Sequence, residues 1–218
     1  MSTLLLVVTA AVAYILGSVN GAILIARFVY HKDIRRYGSG NAGLTNFLRT
    51  FGLPGGALVL AVDVLKSVLA VLIGGWLLSI VDAKETGMLF AGFCLIMGHV
   101  FPMYYHFKGG KGALCGFTLM FVVDWRVGLL CLLAFLLIVL FTRYVSLGSM
   151  VSMVLSSAFL MAFGHTGLNS LLALLCGLLI VLEHAENIIR LIGGTERRLN
   201  LRPERPRRSR EDEEEDFY

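Results

Sequence analysis

Residues 98–112 read G-H-V-F-P-M-Y-Y-H-F-K-G-G-K-G. An apolar run enters this stretch from Met88 and another leaves it at Ala113, so it is a polar turn between two candidate membrane helices. Pro102 lacks a backbone donor and stops a helix. The glycines let backbone N–H groups approach a ligand closely, and Lys108 and Lys111 add positive charge. A helix starting at Ala113 points its first N–H groups into the loop. The pattern predicts an anion site at a membrane surface, with phosphate the natural ligand. A plain basic turn is the other reading.

The chain around it is strongly apolar. Its 218 residues are 57% hydrophobic and 16% charged, with a mean hydropathy of +0.78. A soluble domain carries nearer a quarter charged residues, so the composition predicts a polytopic membrane protein. Cys94, Cys115, Cys131 and Cys176 lie in or beside apolar runs without C-x-x-C spacing, which gives a zinc site or disulfide framework little support. No Lys or Arg precedes the first apolar run, which fits a retained first helix entering from outside.

That first run spans Leu4 to Val29. A polar loop, His31 to Thr50, separates it from a second span opened by Pro54-Gly55-Gly56 and ending near Ile80. Asp63 and Lys66 lie inside the second span at i, i+3, where an ionisable pair should face the bundle or a wet cavity; structural and catalytic pairs are both open. A third span ends near Tyr105. Ala113 to Val123 is too short to cross upright, and Asp124-Trp125-Arg126 turns it back. Val127–Thr142, Ser146–Phe163 and Leu168–Glu183 follow, making seven apolar segments. The expected fold is an all-α seven-helix membrane bundle, with five full spans and two re-entrant ones as the competing count.

With the N-terminus outside, one side of such a bundle gathers sixteen of the nineteen Lys and Arg, and the other has only Lys84 and Arg126. Basic loops stay cytoplasmic, so the rich side and the C-terminus are placed there. Residues 1–195 are expected to form the membrane domain. Residues 196–218, basic to Arg210 and then acidic to Asp216, are expected to form a disordered tail.

Three polar clusters share that cytoplasmic side. G-S-G-N-A-G-L-T-N (38–46), followed by Arg49, offers a glycine nest, neutral donors at Ser39, Asn41, Thr45 and Asn46, and a guanidinium able to grip phosphate. The alternative there is a turn capping a helix at Thr45. The lysine loop lacks P-loop spacing and a preceding strand, which argues against nucleotide hydrolysis. The third cluster, E-H-A-E-N-I-I-R (183–190), puts His184 and Asn187 on one helical face, without the second His of a metalloprotease helix.

Residues 38–49, 98–112 and 184–191 resemble, in order and spacing, the three motifs of the acyl-phosphate-dependent glycerol-3-phosphate acyltransferases, the PlsY family. D-V-L-K (63–66) and S-L-G (146–148) match as well. The resemblance implies a multi-pass bacterial inner-membrane enzyme with its active site facing the cytoplasm. Such an enzyme moves a fatty acyl group from acyl phosphate to the 1-hydroxyl of sn-glycerol 3-phosphate, beginning phospholipid synthesis. Carried over by motif, Ser39, Arg49, His184 and Asn187 are expected to be catalytic. Asn41, Thr45, Asn46, Lys108, Gly109, Gly110, Lys111, Gly112 and Ser146 are expected to bind substrate. The partners implied are glycerol 3-phosphate, acyl phosphate, membrane lipid and a soluble acyl-phosphate-forming enzyme. No nucleic acid, metal or cofactor is expected. Departures from the usual pattern are Ala42-Gly43-Leu44, Ala113-Leu114-Cys115 and Glu183, an acid where relatives commonly carry Arg. The other readings are an acyltransferase with another phosphorylated acceptor, or a small anion or phosphate-ester transporter.

Overall fold

The computed structural model describes residues 2–165 and 167–199, which are helical, with no strand among them. Of the tail expected over residues 196–218, residues 200–218 lie outside the described residues. Five helical stretches among them are long and apolar enough to cross a membrane: Thr3–Val29, Leu53–Ser79, Lys84–Tyr105, Trp125–Thr142 and Val145–Ala162. The pair Gly167–Glu183 and Ala185–Ile192, bent by 62°, makes a sixth if counted as one span.

The first run is broken. Helix α1 (Ser2–Ser18) stops, and α2 (Gly21–Val29) restarts under an Asn20 cap whose side chain accepts from the N–H of Ile23. Short α3 (Leu44–Phe51) carries the first polar cluster and is separated from α4 (Leu53–Ser79) by Gly52, whose φ of +80° an L side chain rarely adopts. Helix α5 (Lys84–Val100) packs closely on α1. A Cβ on Gly17 would meet the carbonyl of Leu95, and one on Gly98 the carbonyl of Tyr14. Small residues at such a crossing let membrane helices approach backbone to backbone.

Helix α6 (Ala113–Val123) has eleven residues, about 16 Å, half of a ~30 Å hydrocarbon core. It runs antiparallel to part of α5: Gly112 at its start abuts Ile96, and Leu119 abuts Gly92. The lysine loop therefore reaches back past the end of α5, and α6 starts inside the bundle. Asp124 caps α7 (Trp125–Thr142) by accepting from the N–H of Arg126. Helices α8 (Val145–Ala162), α9 (Gly167–Glu183) and α10 (Ala185–Ile192) complete the described chain.

Candidate functional site

The polar clusters meet around one cavity of about 1200 Å³, whose wall includes all thirteen site residues expected from the sequence. Asn46, almost fully buried, organises the first loop. Its amide donates to the carbonyls of Tyr37 and Asn41 at 3.0 Å each, and its oxygen accepts from the N–H of Ser39 at 2.9 Å. Both its amide donors are therefore engaged inside the loop, and Asn46, expected to bind substrate, lines the cavity while holding the loop's shape. Gly38 and Gly40 take positive φ to make the turn, and Ser39, Asn41, Thr45 and Arg49 line the cavity.

The lysine loop differs from expectation in one respect. The N–H groups of Gly109 and Gly110 bond back to the carbonyls of Val100 and His99, at 3.0 and 3.1 Å. Those carbonyls end α5 and lack helical partners, so they take the loop's donors. The first turn of α6, whose first internal bond is Gly116 N–H to Gly112 O at 2.9 Å, leaves its earlier N–H groups without helical partners. Gly112 sits at φ +78° with a Cβ position 2.7 Å from Ile96, which leaves no room for a side chain. His106 and Phe107 also take positive φ, a strained pair just before Lys108.

Lys111 donates to the Asn187 side-chain oxygen. Burial and the nearby Arg190 charge push the Lys111 ammonium below its ordinary pKa, against the pull of Glu186, Glu196 and Glu183. At the α9–α10 bend, His184 Nδ1 donates to the carbonyl of Ile180 at 2.7 Å. A carbonyl only accepts, so the neutral ring carries its lone pair on Nε2.

Glu196, which the sequence reading assigned to the tail, turns into the site. It accepts from Ser146 Oγ at 2.7 Å, Asn187 Nδ2 at 2.6 Å and Arg190 Nε at 2.8 Å. Burial alone would raise its carboxyl, but these donors hold it below its ordinary pKa. The signal for this was Gly193-Gly194 after α10, a turn able to send the chain back; Gly194 takes φ +68°. Ser146, expected to bind substrate, gives its hydroxyl proton to Glu196.

Two further wall residues, Asp63 and His99, belong to a buried charge cluster. Lys66 Nζ forms an ion pair with Asp63 Oδ1 at 2.8 Å and hydrogen bonds to Val19 O at 2.6 Å, Gly17 O at 3.2 Å and His99 Nδ1 at 2.9 Å. Away from the loops the cavity becomes apolar. Ala113, Leu114, Phe117, Thr118, Phe121 and Val122 recur at helical spacing along one face of α6, opposite Val64 and Val68 of α4 and Leu132 and Phe135 of α7. The site thus joins a polar, charged end to an apolar arm. No group of three or more His, Cys, Asp or Glu side chains among the described residues is arranged to hold a metal.

Comparison with known proteins agrees with this geometry. A family model described as glycerol-3-phosphate acyltransferase matches residues 7–194. A glycerol-3-phosphate acyltransferase of Clostridioides difficile (strain 630) is 40% identical over 201 residues, covering 91% of this chain and 97% of the relative. One of Thermoanaerobacter sp. (strain X514) is 37% identical over 198 residues, covering 91% and 98%. Among solved structures, the glycerol 3-phosphate form of PlsY (YgiH), an integral membrane glycerol 3-phosphate acyltransferase, superposes with a TM-score of 0.81 at 34% identity, covering 89% of this chain and 96% of that one. Its lysophosphatidic acid form gives 0.79 at 32% identity, covering 89% and 95%. With a match across nearly its whole helical length, the chain belongs to the glycerol-3-phosphate acyltransferase family.

Proposed function

We propose that the chain transfers a fatty acyl group from acyl phosphate to the 1-hydroxyl of sn-glycerol 3-phosphate, releasing 1-acyl-sn-glycerol 3-phosphate and inorganic phosphate. The observation that carries this reading is the make-up of one cavity, with Arg49, Lys108 and Lys111 at its polar end and an apolar arm along α6. The glycerol 3-phosphate and lysophosphatidic acid forms of the PlsY relative support the same acceptor and product.

Acyl phosphate is a mixed anhydride. The acceptor's hydroxyl oxygen attacks the acyl carbonyl carbon, the bond from that carbon to the phosphate oxygen breaks, and its electron pair leaves with phosphate. The leaving group is good, so the protein's task is to gather two anions and take one proton. Unit charges ~4 Å apart repel by about 4 kcal/mol at an effective dielectric near 20. Arg49, Lys108, Lys111 and the first turn of α6 offset that repulsion. His184 Nε2, left as the acceptor by the bond at Nδ1, takes the hydroxyl proton, and Asn187 orients the acceptor. Ser39, Asn41 and Thr45 donate to phosphate oxygens. Transfer is direct, without an acyl-enzyme.

The bundle crosses the bacterial inner membrane seven times, N-terminus outside and active site cytoplasmic. The bias of Lys and Arg supports the orientation. The pairing of α6 with the Ile96–Gly92 part of α5 supports counting that short helix as a crossing. Residues 1–195 with Glu196 form the catalytic domain and the rest a charged tail. The donor comes from a soluble acyl-phosphate-forming enzyme and reaches the site through the membrane lipid.

The test is phosphate release by purified protein given palmitoyl phosphate. Release should require sn-glycerol 3-phosphate, be absent with palmitoyl-CoA, and fall at least about a hundredfold in Arg49→Ala. No release beside an active relative would overturn the reading.

A further inference from the structure

The Lys66 cluster lies beneath the two phosphate loops. Asp63 is 1% exposed and Lys66 and His99 4% each, so their charges meet partners rather than water. An ammonium only donates, so Nδ1 of His99 accepts its bond at 2.9 Å and the ring is neutral, with its proton on Nε2. That Nε2 edge and the Ala42 carbonyl meet on the same face of Gly110: a single Cβ there would overlap Nε2 and stand 2.6 Å from the Ala42 oxygen, so only a glycine lets the two loops close over His99. The same carbonyl accepts from Asn20 Nδ2 at 3.1 Å. Asn20 begins α2 at the break where Lys66 also bonds the carbonyls of Gly17 and Val19. Asp63 closes the cluster, its Oδ1 accepting from the N–H of Gly21 at 3.1 Å.

We propose that Lys66 is a positioning residue for the acceptor phosphate. Acting through His99 on Gly110, and through the helix break and Asn20 on Ala42, it sets the separation of the lysine loop from the first polar loop. Lys66 touches no substrate. The inference rests on the acyltransferase reading above. It goes further in assigning the spacing of the two loops to one buried ion pair that lies outside all three motif loops.

The ion pair can be removed without stranding a charge by Asp63→Asn/Lys66→Met. In that variant KM for glycerol 3-phosphate should rise roughly tenfold or more, with KM for acyl phosphate within about threefold. His99→Asn, whose side-chain oxygen can stand where Nδ1 stood, should keep the acceptor's KM closer to wild type than His99→Leu. Helical circular dichroism and size-exclusion profiles check folding, and if the double variant does not fold, the His99 pair decides alone. Folded variants with the wild-type KM for glycerol 3-phosphate overturn the proposal, as does a lowered Tm with unchanged kinetics. An inactive wild type would instead sink the acyltransferase reading. Equilibrium binding of inorganic phosphate to the same variants, weakened or unchanged, would then still decide the role of Lys66.

Discussion

At the residue scale, the tautomer of His184 is fixed by one bond. With Nδ1–H given to Ile180, only Nε2 is left able to take a proton. His184→Asn keeps a donor near Nδ1 and loses the Nε2 lone pair, whereas His184→Gln places an amide near Nε2 that cannot be protonated at working pH. Both should lower kcat about 10²- to 10⁴-fold with little change in KM for glycerol 3-phosphate. His184→Gln retaining most of its kcat would transfer the base to the substrate's own phosphate. Glu196 shows how far single residues were legible. Its three donors come from residues 146, 187 and 190, two of them on the same short helix, and only the turn at Gly193-Gly194 hinted at them. Asn46 is the converse case. Its place in the cavity wall was legible, but its commitment to the carbonyls of Tyr37 and Asn41 depends on loop geometry that residue type does not encode.

At the scale of elements, the contact between α1 and α5 rests on glycines set against backbone. Gly98→Leu would drive a side chain into the carbonyl of Tyr14 and separate the helices. The expected loss is about 1–3 kcal/mol, read as a lowered midpoint in thermal unfolding, and a midpoint equal to wild type would contradict the close contact. The long apolar runs were plain in the sequence because each spans tens of ångströms without interruption. The break at Val19–Asn20 was not, because Gly17, Ser18, Asn20 and Gly21 are also good helix-contact residues. What stops the helix there is tertiary: Lys66, in another helix, accepts the company of the freed carbonyls. The Asp63–Lys66 pair is visible at i, i+3, yet its third member, His99, sits in a motif whose glycines and lysines point to phosphate and carry no sign of a buried charge partner. The short run 113–123 was equally plain in the sequence, and it packs against α5 at Gly92 and Ile96.

At the scale of the molecule, the end away from the polar loops is fastened by His165. Its Nδ1 lies 2.6 Å from Glu85 and its Nε2 3.1 Å from Asp124, joining the start of α5, the start of α7 and the α8–α9 turn. Burial works against the charged ring, but the two carboxylates outweigh it and raise the His165 pKa above 6.5. A raised pKa contributes stability in full below about pH 6.5 and loses it as pH climbs through the folded value. Thermal stability in detergent should therefore decline on going from about pH 6 to pH 9, and His165→Gln should flatten that decline. Parallel curves for the two proteins would show that His165 fastens nothing. Between that fastening and the loops, the apolar arm along α6 would give the proposed reaction its dimensionality. On the proposed reaction, a donor whose tail lay between α4, α6 and α7 would arrive by diffusion within a sheet and its acylated product depart the same way, while the small acceptor would arrive from three-dimensional solution. The two substrates are thus counted in different units, one per area of bilayer and the other per volume of water. Adding inert lipid dilutes the first without touching the second.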